Sequence, residues 1–408
     1  MTTQPPQTTQ LTTGADFVPE TKAPVWPFAR PSAMAMPLEY ARLRAVEPVF
    51  RVTLMTGTEA WLVTRFEDVK FVLSDPRFSP RQPAGPLGPE AASPGSLFQD
   101  PPAHTRLRGL VSKAFTPRRV EALRPYVRNL CNELVDDLEK AGPPADLMSI
   151  LAFRVPVDSV AEMIGVSDLD RLPFRDASTA LIMAGKEDVD ELRAAGPRVY
   201  GMVTELVAAK RANPGDDLMS ALISVRDEGD RLSEDELVTM GMTLLIAGFV
   251  ATANSIGLGA VLLAEHDGLR ELHDNPSLVD SAVEEILRYE PKVSGPARMA
   301  KEDVEVAGTL IKAGELVMAP EQCANRDERV FDDSEVFDIR RRDNNHMAFG
   351  RGIHHCLGAA MARVQLQETF SVLAQRVPDL RPSTPVDELT WRMNFFGDNR
   401  FRELPVTW

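Results

Sequence analysis

The stretch from residue 346 to residue 358, HMAFGRGIHHCLG, places Cys356 directly after two histidines and between glycines. Such residue types suggest a zinc site. However, three consecutive side chains, those of His354, His355 and Cys356, cannot converge on one tetrahedral ion, and no CxxC or HxxxH partner lies nearby. A buried structural cysteine is the ordinary alternative for a lone cysteine.

The surroundings of Cys356 favour a reactive thiolate over a structural thiol. The residues that follow, LGAAMARVQLQETF, predict the start of a helix, where free N–H groups and the positive end of the helix dipole stabilise an anion. Gly350, Gly352 and Gly358 allow the backbone to turn tightly and to approach a flat partner closely. A large planar ligand with a metal centre accounts for all of these features.

The whole stretch resembles the haem-binding loop of the cytochrome P-450 monooxygenases, FGxGxHxCLG, without departure at the fixed positions. The resemblance rests on seven residues, which are Phe349, Gly350, Gly352, His354, Cys356, Leu357 and Gly358. It implies haem b (iron protoporphyrin IX) as the cofactor and Cys356 as the axial thiolate of its iron. It extends from about residue 27 to the end of the chain.

Basic residues elsewhere agree with this resemblance. DPPAHTRLR supplies His104 and Arg108, four residues apart on one helical face, and GPARMA supplies Arg298. Alone, the first pair would be interpreted as a solvated basic patch. In the family, such residues and the loop histidine, here His354, bind the haem propionates through charge-assisted contacts.

A further pair resembles the ExxR motif of the family. Glu285 and Arg288 in VEEILRYEP would usually form a surface ion pair of little energetic value. The resemblance implies instead that they form a buried network with Arg341 of FDIRRRDNNH, and that this network supports the cysteine loop.

The segment AGFVAT departs from the family. Members show an acid and an alcohol here that relay protons to dioxygen, whereas this chain has Val250 and Ala251 at those positions. Thr252 lies about 100° further round the helix, and its hydroxyl is expected to bond the carbonyl of Gly248. Ala247, Gly248 and Ala251 form a small-residue face against which oxygen and substrate could lie.

Two interpretations follow from the missing pair. Either an ordered water chain, held by a hydroxyl of the substrate, delivers the protons, or the reaction is one that needs no ordinary relay, such as oxidative coupling of phenols. Thr252 as a substitute alcohol also stays open.

The elements that must position these residues are mainly helical. Residues 237 to 264 carry no charge and are long enough to span a bilayer, but they contain Thr, Asn, Ser and Gly, and Ser233 and Glu236 have the spacing of a capping box. They predict a buried central helix over the haem, from Ser233 to Glu265. Apolar residues at intervals of three and four predict helices at 39–46, 117–142, 147–165, 197–213, 278–291 and 358–377. Short β-branched runs at 49–54, 60–65, 304–308 and 315–320 predict peripheral strands. The predicted fold class is mainly α with small β-sheets.

Composition narrows the class of protein. With 45 basic and 60 acidic residues the net charge is −15, which argues against nucleic acid as the main partner. Three scattered cysteines favour a reducing compartment, so a cytoplasmic location without membrane attachment is expected. Residues 1–26 are Thr, Gln and Pro-rich, lack signal-peptide features, and are interpreted as a disordered leader before one haem domain at 27–408.

The expected function is a monooxygenase of secondary metabolism, including antibiotic biosynthesis. It would insert one oxygen atom from O2 into an apolar natural product such as a macrolide, polyketide, terpene or peptide-like compound. Electrons would come from NAD(P)H through a ferredoxin and a ferredoxin reductase, steered by a basic stretch, Arg106, Lys113, Arg118 and Arg119. A catalytically silent family member that acts as a partner protein is the alternative. The resemblance places the substrate pocket at residues 79–96, near 180–200, and at Val293, Ser294, Gly295 and Phe395 of MNFF.

Overall fold

The computed structural model describes residues 23–32, 34–80, 96–183, 189–227, 232–290, 295–389, 391–393 and 399–408. Helices dominate these residues, and small sheets lie beside them. The helices are α1 (Leu38–Val46), α2 (Phe66–Ser74), α3 (Ala103–Ala114), α4 (Pro117–Ala122), α5 (Arg124–Ala141), α6 (Arg154–Ile164), α7 (Asp168–Met183), α8 (Val189–Ala212), α9 (Leu218–Asp227), α10 (Glu234–Glu265), α11 (Gly268–Asp274), α12 (Val279–Tyr289), α13 (Glu321–Ala324) and α14 (Ala359–Arg376). The predicted fold class is confirmed.

Short strands form the sheets. They are β1 (Val25–Trp26), β2 (Val49–Leu54), β3 (Glu59–Val63), β4 (Phe78–Ser79), β5 (Ala145–Asp146), β6 (Ala297–Ala300), β7 (Val304–Val306), β8 (Thr309–Ile311), β9 (Leu316–Met318), β10 (Arg381–Pro382), β11 (Trp391–Met393), β12 (Asn399–Phe401) and β13 (Pro405–Thr407). The largest sheet has six strands in the order β1-β2-β3-β9-β6-β4. Antiparallel pairing of β6 with β9, with Arg298 opposite Val317, fixes the position of Arg298.

Helix α10 is the predicted central helix. Ser233 caps it: the Ser233 hydroxyl accepts from the Glu236 N–H, and the Glu236 carboxylate accepts from the Ser233 N–H. Among the described residues it is the one helix long and apolar enough to cross a membrane, yet 72% of its most apolar window is buried inside the protein. A Cβ at Gly259 would lie 2.5 Å from the ring of Phe370 on α14, so glycine permits close packing of the two helices. The interpretation as a core helix is therefore correct.

Two predicted helices are each divided. The segment 117–142 forms α4 and α5, which meet at Leu123, and the segment 147–165 forms a π turn at Met148–Ala152 followed by α6. Pro125 and Pro156 lie within the first turns of α5 and α6. Because proline has no N–H to donate and its ring clashes with the preceding turn, neither segment continues as one α-helix.

The predicted leader, residues 1–26, extends too far. Val25–Trp26 pair in parallel with β2, and the indole N–H of Trp26 donates to the Tyr40 hydroxyl at 3.0 Å. Trp26 is buried in a cluster with Tyr40 and Leu43. The packed structure therefore begins before residue 27, because burial of a large aromatic side chain stabilises this first strand.

Candidate functional site

The loop that carries Cys356 is shaped by two glycines with left-handed backbone conformation. Gly350 has φ 69° and Gly352 has φ 73°. A Cβ at Gly352 would lie 2.9 Å from the Leu73 carbonyl oxygen and the Ser74 Cα, so only glycine fits against the end of α2. The Cys356 N–H donates to the Phe349 carbonyl at 2.9 Å, and α14 begins three residues later. The thiol thus lies just before a helix N-terminus, as the sequence predicts.

Cys356 and the small-residue face of α10 line one cavity of about 330 Å³. This volume is at the lower end of the range for small-molecule sites. Ala247, Gly248, Ala251 and Thr252 contribute the wall on α10, and Phe349, His354, Leu357 and Gly358 accompany Cys356. The rest of the lining is largely apolar and includes Leu97, Phe98, Phe115, Val160, Leu244 and Leu287. The structure therefore brings together the two stretches that sequence singled out, although more than 100 residues separate them.

The other two cysteines have different surroundings. Cys131 and Cys323 are buried, and burial raises the pKa of each thiol to about 12. Cys131 lies 3.5 Å from the Thr369 hydroxyl, and the Cys323 thiol donates to the Thr64 carbonyl at 3.3 Å. Both are held as neutral thiols in the core, whereas Cys356 is exposed to the cavity.

A group of basic side chains gathers at one edge of this cavity. The rings of His104 and His354 lie 4.2 Å apart, and the charges of Arg108 and Arg298 act on His354. Burial, followed by the charges of His104 and Arg298, lowers the pKa of His354 to about 4. Burial, followed by the charge of Arg108, also lowers the pKa of His104. Burial and the neighbouring positive charges thus disfavour protonation of both histidines.

The ring nitrogens of His104 are buried polar atoms without a partner. His104 is 2% exposed, and neither Nδ1 nor Nε2 has a hydrogen-bond partner within the described part of the chain. Arg298 is also buried, and Arg108 donates to the His355 carbonyl at 2.6 Å. Because unpaired buried polar atoms are costly, the pattern indicates an anionic or hydrogen-bonding ligand at this edge.

Glu285, Arg288 and Arg341 form the buried network that the sequence predicts. Arg288 Nε lies 2.8 Å from Glu285 Oε2, and Arg341 Nε lies 3.2 Å from the same oxygen. Arg288 also donates to the Asn325 carbonyl, and the Asn325 side chain accepts from the Met347 N–H at 2.7 Å. The network therefore reaches the start of the cysteine loop.

Sequence reasoning missed a second network behind the loop. Arg363 donates to both carboxylate oxygens of Glu284, at 2.6 and 2.8 Å, and its guanidinium lies 4.5 Å from the centre of the Phe349 ring. His346 Nδ1 accepts from the Ala348 N–H, so Nε2 carries the proton and donates to Glu284 at 3.1 Å. The pair Glu284–Glu285 was the available signal, since adjacent carboxylates on one helix point in different directions and need two sets of partners.

The hydroxyl contacts on α10 differ from the prediction. Thr252 makes no hydrogen bond to Gly248 among the described residues. Ser255 makes the equivalent bond instead, to the Ala251 carbonyl at 3.0 Å, and it also lies 2.7 Å from Glu290 Oε2. Thr252 lies at the cavity wall. Gln365 lines the same cavity and was also missed; its Nε2 is buried and has no hydrogen-bond partner in the part of the chain that the structure describes.

The predicted substrate-pocket residues are only partly described. Val293, Ser294 and Phe395 lie outside the described residues, as do 81–95 and 184–188. Gly295 is packed against Pro320: a Cβ at Gly295 would lie 2.4 Å from the Pro320 Cα. Its place in the substrate pocket stays a prediction.

These residues fit a haem group on three observations. The cavity separates a cysteine just before a helix N-terminus from a small-residue helix face. Its edge carries basic side chains, and one of them, the buried His104, has no partner for either ring nitrogen among the described residues. The cysteine loop uses glycine where it packs on α2 and is supported from behind by two ion-pair networks.

Comparisons with known proteins give the same result. The family model for cytochrome P-450 matches residues 271–376. The chain is 45% identical over 392 residues to nocardicin C N-oxygenase of Nocardia uniformis subsp. tsuyamanensis, with 94% of this chain and 98% of that protein covered. It is 42% identical over 390 residues to mycinamicin IV hydroxylase/epoxidase of Micromonospora griseorubida, with 94% and 98% covered. The solved structure of the mixed-function enzyme MycG superimposes with a TM-score of 0.88 at 41% identity, covering 95% of this chain and 100% of that one. The chain is a member of the cytochrome P-450 family and, like these oxygenases, an oxidoreductase that uses haem iron.

Proposed function

We propose that Cys356 is the axial thiolate of haem b and that the cavity between it and α10 is the active site of a monooxygenase. The observation that carries the proposal is that Cys356 and the Ala247–Gly248–Ala251 face line one cavity, whose edge also holds the buried His104 with both ring nitrogens unpartnered among the described residues. The haem supplies the activation of O2 and the transfer of one oxygen atom to a C–H, C=C or N–H group.

The residues of the chain hold and enclose this group. His104, Arg108, Arg298 and His354 would bind the propionates, since charge-assisted bonds to carboxylates are strong. His104, Arg108 and His354 line the cavity, and the charge of Arg298 acts on His354. Phe349, Gly350, Leu357 and Gly358 would hold the loop against the ring, with Glu285, Arg288 and Arg341 fixing its start. The small side chains of α10 would leave room above the ring for oxygen and substrate.

The substrate class is a large, mainly apolar natural product, such as a macrolide, another polyketide, a terpene or a peptide-like antibiotic. Two observations support this choice. The described cavity wall is largely apolar, and the similar proteins include an N-oxygenase of nocardicin C and a hydroxylase/epoxidase of mycinamicin IV. Because the relatives are oxygenases, oxidative coupling and a silent partner protein are not favoured.

Electrons would pass from NAD(P)H through a ferredoxin reductase and a ferredoxin in the cytoplasm. The four basic residues of the stretch on α3 and α4 differ in their contacts. Arg106 pairs with Glu236, and Arg119 donates to the Ala114 carbonyl, whereas Lys113 and Arg118 are exposed. Lys113 and Arg118 are therefore the residues that would steer an acidic ferredoxin, and their reversal to Glu should raise the KM for ferredoxin most at low ionic strength.

The test is the carbon monoxide spectrum of the reduced protein. The unmodified protein should show the red-shifted Soret band of a thiolate ligand, and Cys356→His should replace it with the band of a histidine ligand. Cys131→Ala and Cys323→Ala are matched controls that should keep the red-shifted band. A red-shifted band that survives Cys356→His, or is lost in a control, would place the ligand elsewhere.

A further inference from the structure

Ser255 lies one helical turn beyond Ala251 on α10 and lines the same cavity as Cys356. Its hydroxyl oxygen is 3.0 Å from the Ala251 carbonyl oxygen and 2.7 Å from Glu290 Oε2. Glu290 follows the last residue of α12, and Ser255 and Glu290 are each 2% exposed. A buried acid and a buried alcohol thus meet at the wall of the cavity.

The Ser255 hydroxyl has two polar neighbours but only one hydrogen to donate. A hydroxyl has one hydrogen, whereas the Ala251 carbonyl and an ionised carboxylate are acceptors only. If Glu290 is ionised, one hydrogen is shared between two acceptors. If Glu290 is protonated, its O–H donates to Ser255 Oγ and the Ser255 hydroxyl donates to Ala251, so both contacts are full hydrogen bonds. The two distances are compatible with a protonated carboxyl group at Glu290.

A positive charge also lies near Glu290. The guanidinium of Arg30 is close enough for its charge to act on Glu290, so the carboxylate formed by proton loss would have a nearby compensating charge. Arg30 is only partly buried. A proton from solvent can therefore reach Glu290 on the side of Arg30. A carboxyl group with access to both states has the properties of a general acid.

We infer that Glu290 and Ser255 are the acid and alcohol that deliver protons to the cavity, in place of the pair missing at Val250 and Ala251. In the transfer, the Ser255 hydroxyl turns from the Ala251 carbonyl to an acceptor in the cavity and gives up its hydrogen. The O–H bond of Glu290 breaks as its proton moves to Ser255 Oγ, so the alcohol is restored and Glu290 becomes a carboxylate. A proton from solvent then restores the acid. The inference rests on the proposed function, because protons are needed here only if oxygen is reduced in this cavity.

Infrared spectroscopy of the holoprotein tests the protonation without any turnover. With isotope-labelled glutamate at neutral pH, the unmodified protein should show a carboxylic C=O band that is missing in Glu290→Gln. The band should shift in Ser255→Ala, since that variant removes the hydrogen-bond partner. The absence of any difference between the unmodified protein and Glu290→Gln would overturn the inference.

Coupling, meaning product formed per reduced nicotinamide consumed, tests the role of the pair. Ser255→Ala and Glu290→Gln should each lower kcat for product on the order of 100-fold, the low end for loss of a general acid, with an unchanged dissociation constant for substrate. Ser255→Thr, which keeps the hydroxyl, should retain coupling. Ser159→Ala is a matched control, because the buried Ser159 hydroxyl only bonds the carbonyl four residues back, at 2.5 Å.

The outcomes separate this inference from the proposed function. If the unmodified protein lacks the thiolate band and forms no product, the proposed function fails. If the unmodified protein turns over with good coupling and Ser255→Ala couples equally well, only the relay is overturned. A loss of coupling in Ser255→Thr equal to that in Ser255→Ala would show a packing role and would also overturn the relay.

Discussion

Arg288 and Glu285 are joined by two hydrogen bonds, of 2.7 and 2.8 Å, and both side chains are fully buried. All five N–H donors of Arg288 are used, since it also donates to the carbonyls of Asn325, Ser334 and Val336. Glu285 accepts further bonds from Asp338 N–H, Arg341 and Asn344. Two charges remain stable in the interior because every polar group around them is satisfied.

Breaking this pair should be strongly destabilising. Arg288→Lys keeps the charge but cannot reproduce five bonds, and Glu285→Gln leaves Arg288 without its countercharge. Each should lower the free energy of unfolding by about 3–5 kcal/mol, measured by denaturant titration of the holoprotein. The control is Glu67→Gln, which breaks an exposed pair with Lys70 at the same spacing and should change stability by about 1 kcal/mol or less. Equal effects of Glu285→Gln and Glu67→Gln would contradict the structural role.

The basic groups at the cavity edge should determine haem retention. His104→Ala, Arg108→Ala and Arg298→Ala each leave a propionate less well paired, at about 1.5–3 kcal/mol for a charge-assisted bond. Haem should transfer faster to an apoprotein acceptor, while the thiolate spectrum of the remaining holoprotein persists. Arg270→Ala, which removes an arginine that pairs with Asp379 on the surface, should leave the rate unchanged. Unaltered haem transfer in all three cavity variants would remove the propionate assignment.

Sequence alone was sufficient where the signal is local. The capping box at Ser233 and Glu236 marked the start of α10, and the fixed spacing of the cysteine loop located Cys356. The two helices predicted at 117–142 and 147–165 were wrong as single elements because of proline. The apolar spacing continues past Pro125 and Pro156, but the α-helix does not. The spacing of apolar residues predicts which face of a helix is buried. It does not predict where the backbone hydrogen bonds of that helix are interrupted.

The contacts that sequence could not supply are those between distant residues. Glu284 meets Arg363 across 79 positions, and Ser255 meets Glu290 across 35. From sequence alone, each of these side chains would be interpreted as a polar residue on the solvent-facing surface of a helix. Only the packing of α12 against α10 and α14 brings them together. For the same reason, a local pattern suggested a back-bond from Thr252, whereas the carboxyl group that distinguishes Ser255 belongs to Glu290, just after the end of α12.

The second network should give a pH-dependent stability. Burial would raise the pKa of Glu284, but hydrogen bonds from Arg363 and His346 outweigh it and hold the pKa at about 2, below the usual 4.5. A lowered pKa contributes stability that is fully present above 4.5 and is lost as the pH falls towards 2. The difference in Tm between the unmodified protein and Glu284→Gln should therefore be constant near neutrality and shrink in acid.

A double variant is the control for this pH dependence. In an Arg363→Met background the strongest partner of Glu284 is missing, so the effect of Glu284→Gln should become smaller and less dependent on pH. A pH-independent difference in the unmodified background would mean that Glu284 contributes by packing and not by charge.

The last prediction concerns the unusual residues on α10. Ala251→Thr should keep haem binding but lower coupling, because the added methyl and hydroxyl enter the cavity wall beside Ser255 and disturb the site where protons are delivered. Thr252→Ala should be milder than Ser255→Ala, because the Thr252 hydroxyl has no acid partner among the described residues. Its effect on stability should be about 1 kcal/mol or less, since no intrahelical bond is lost.

A substrate analogue that lacks a hydroxyl near the site of oxidation completes the comparison. If Ser255 and Glu290 supply the protons, the analogue should couple well in the unmodified protein; if its coupling collapses, the substrate hydroxyl is part of the relay, and a collapse in Thr252→Ala would assign the alcohol to Thr252.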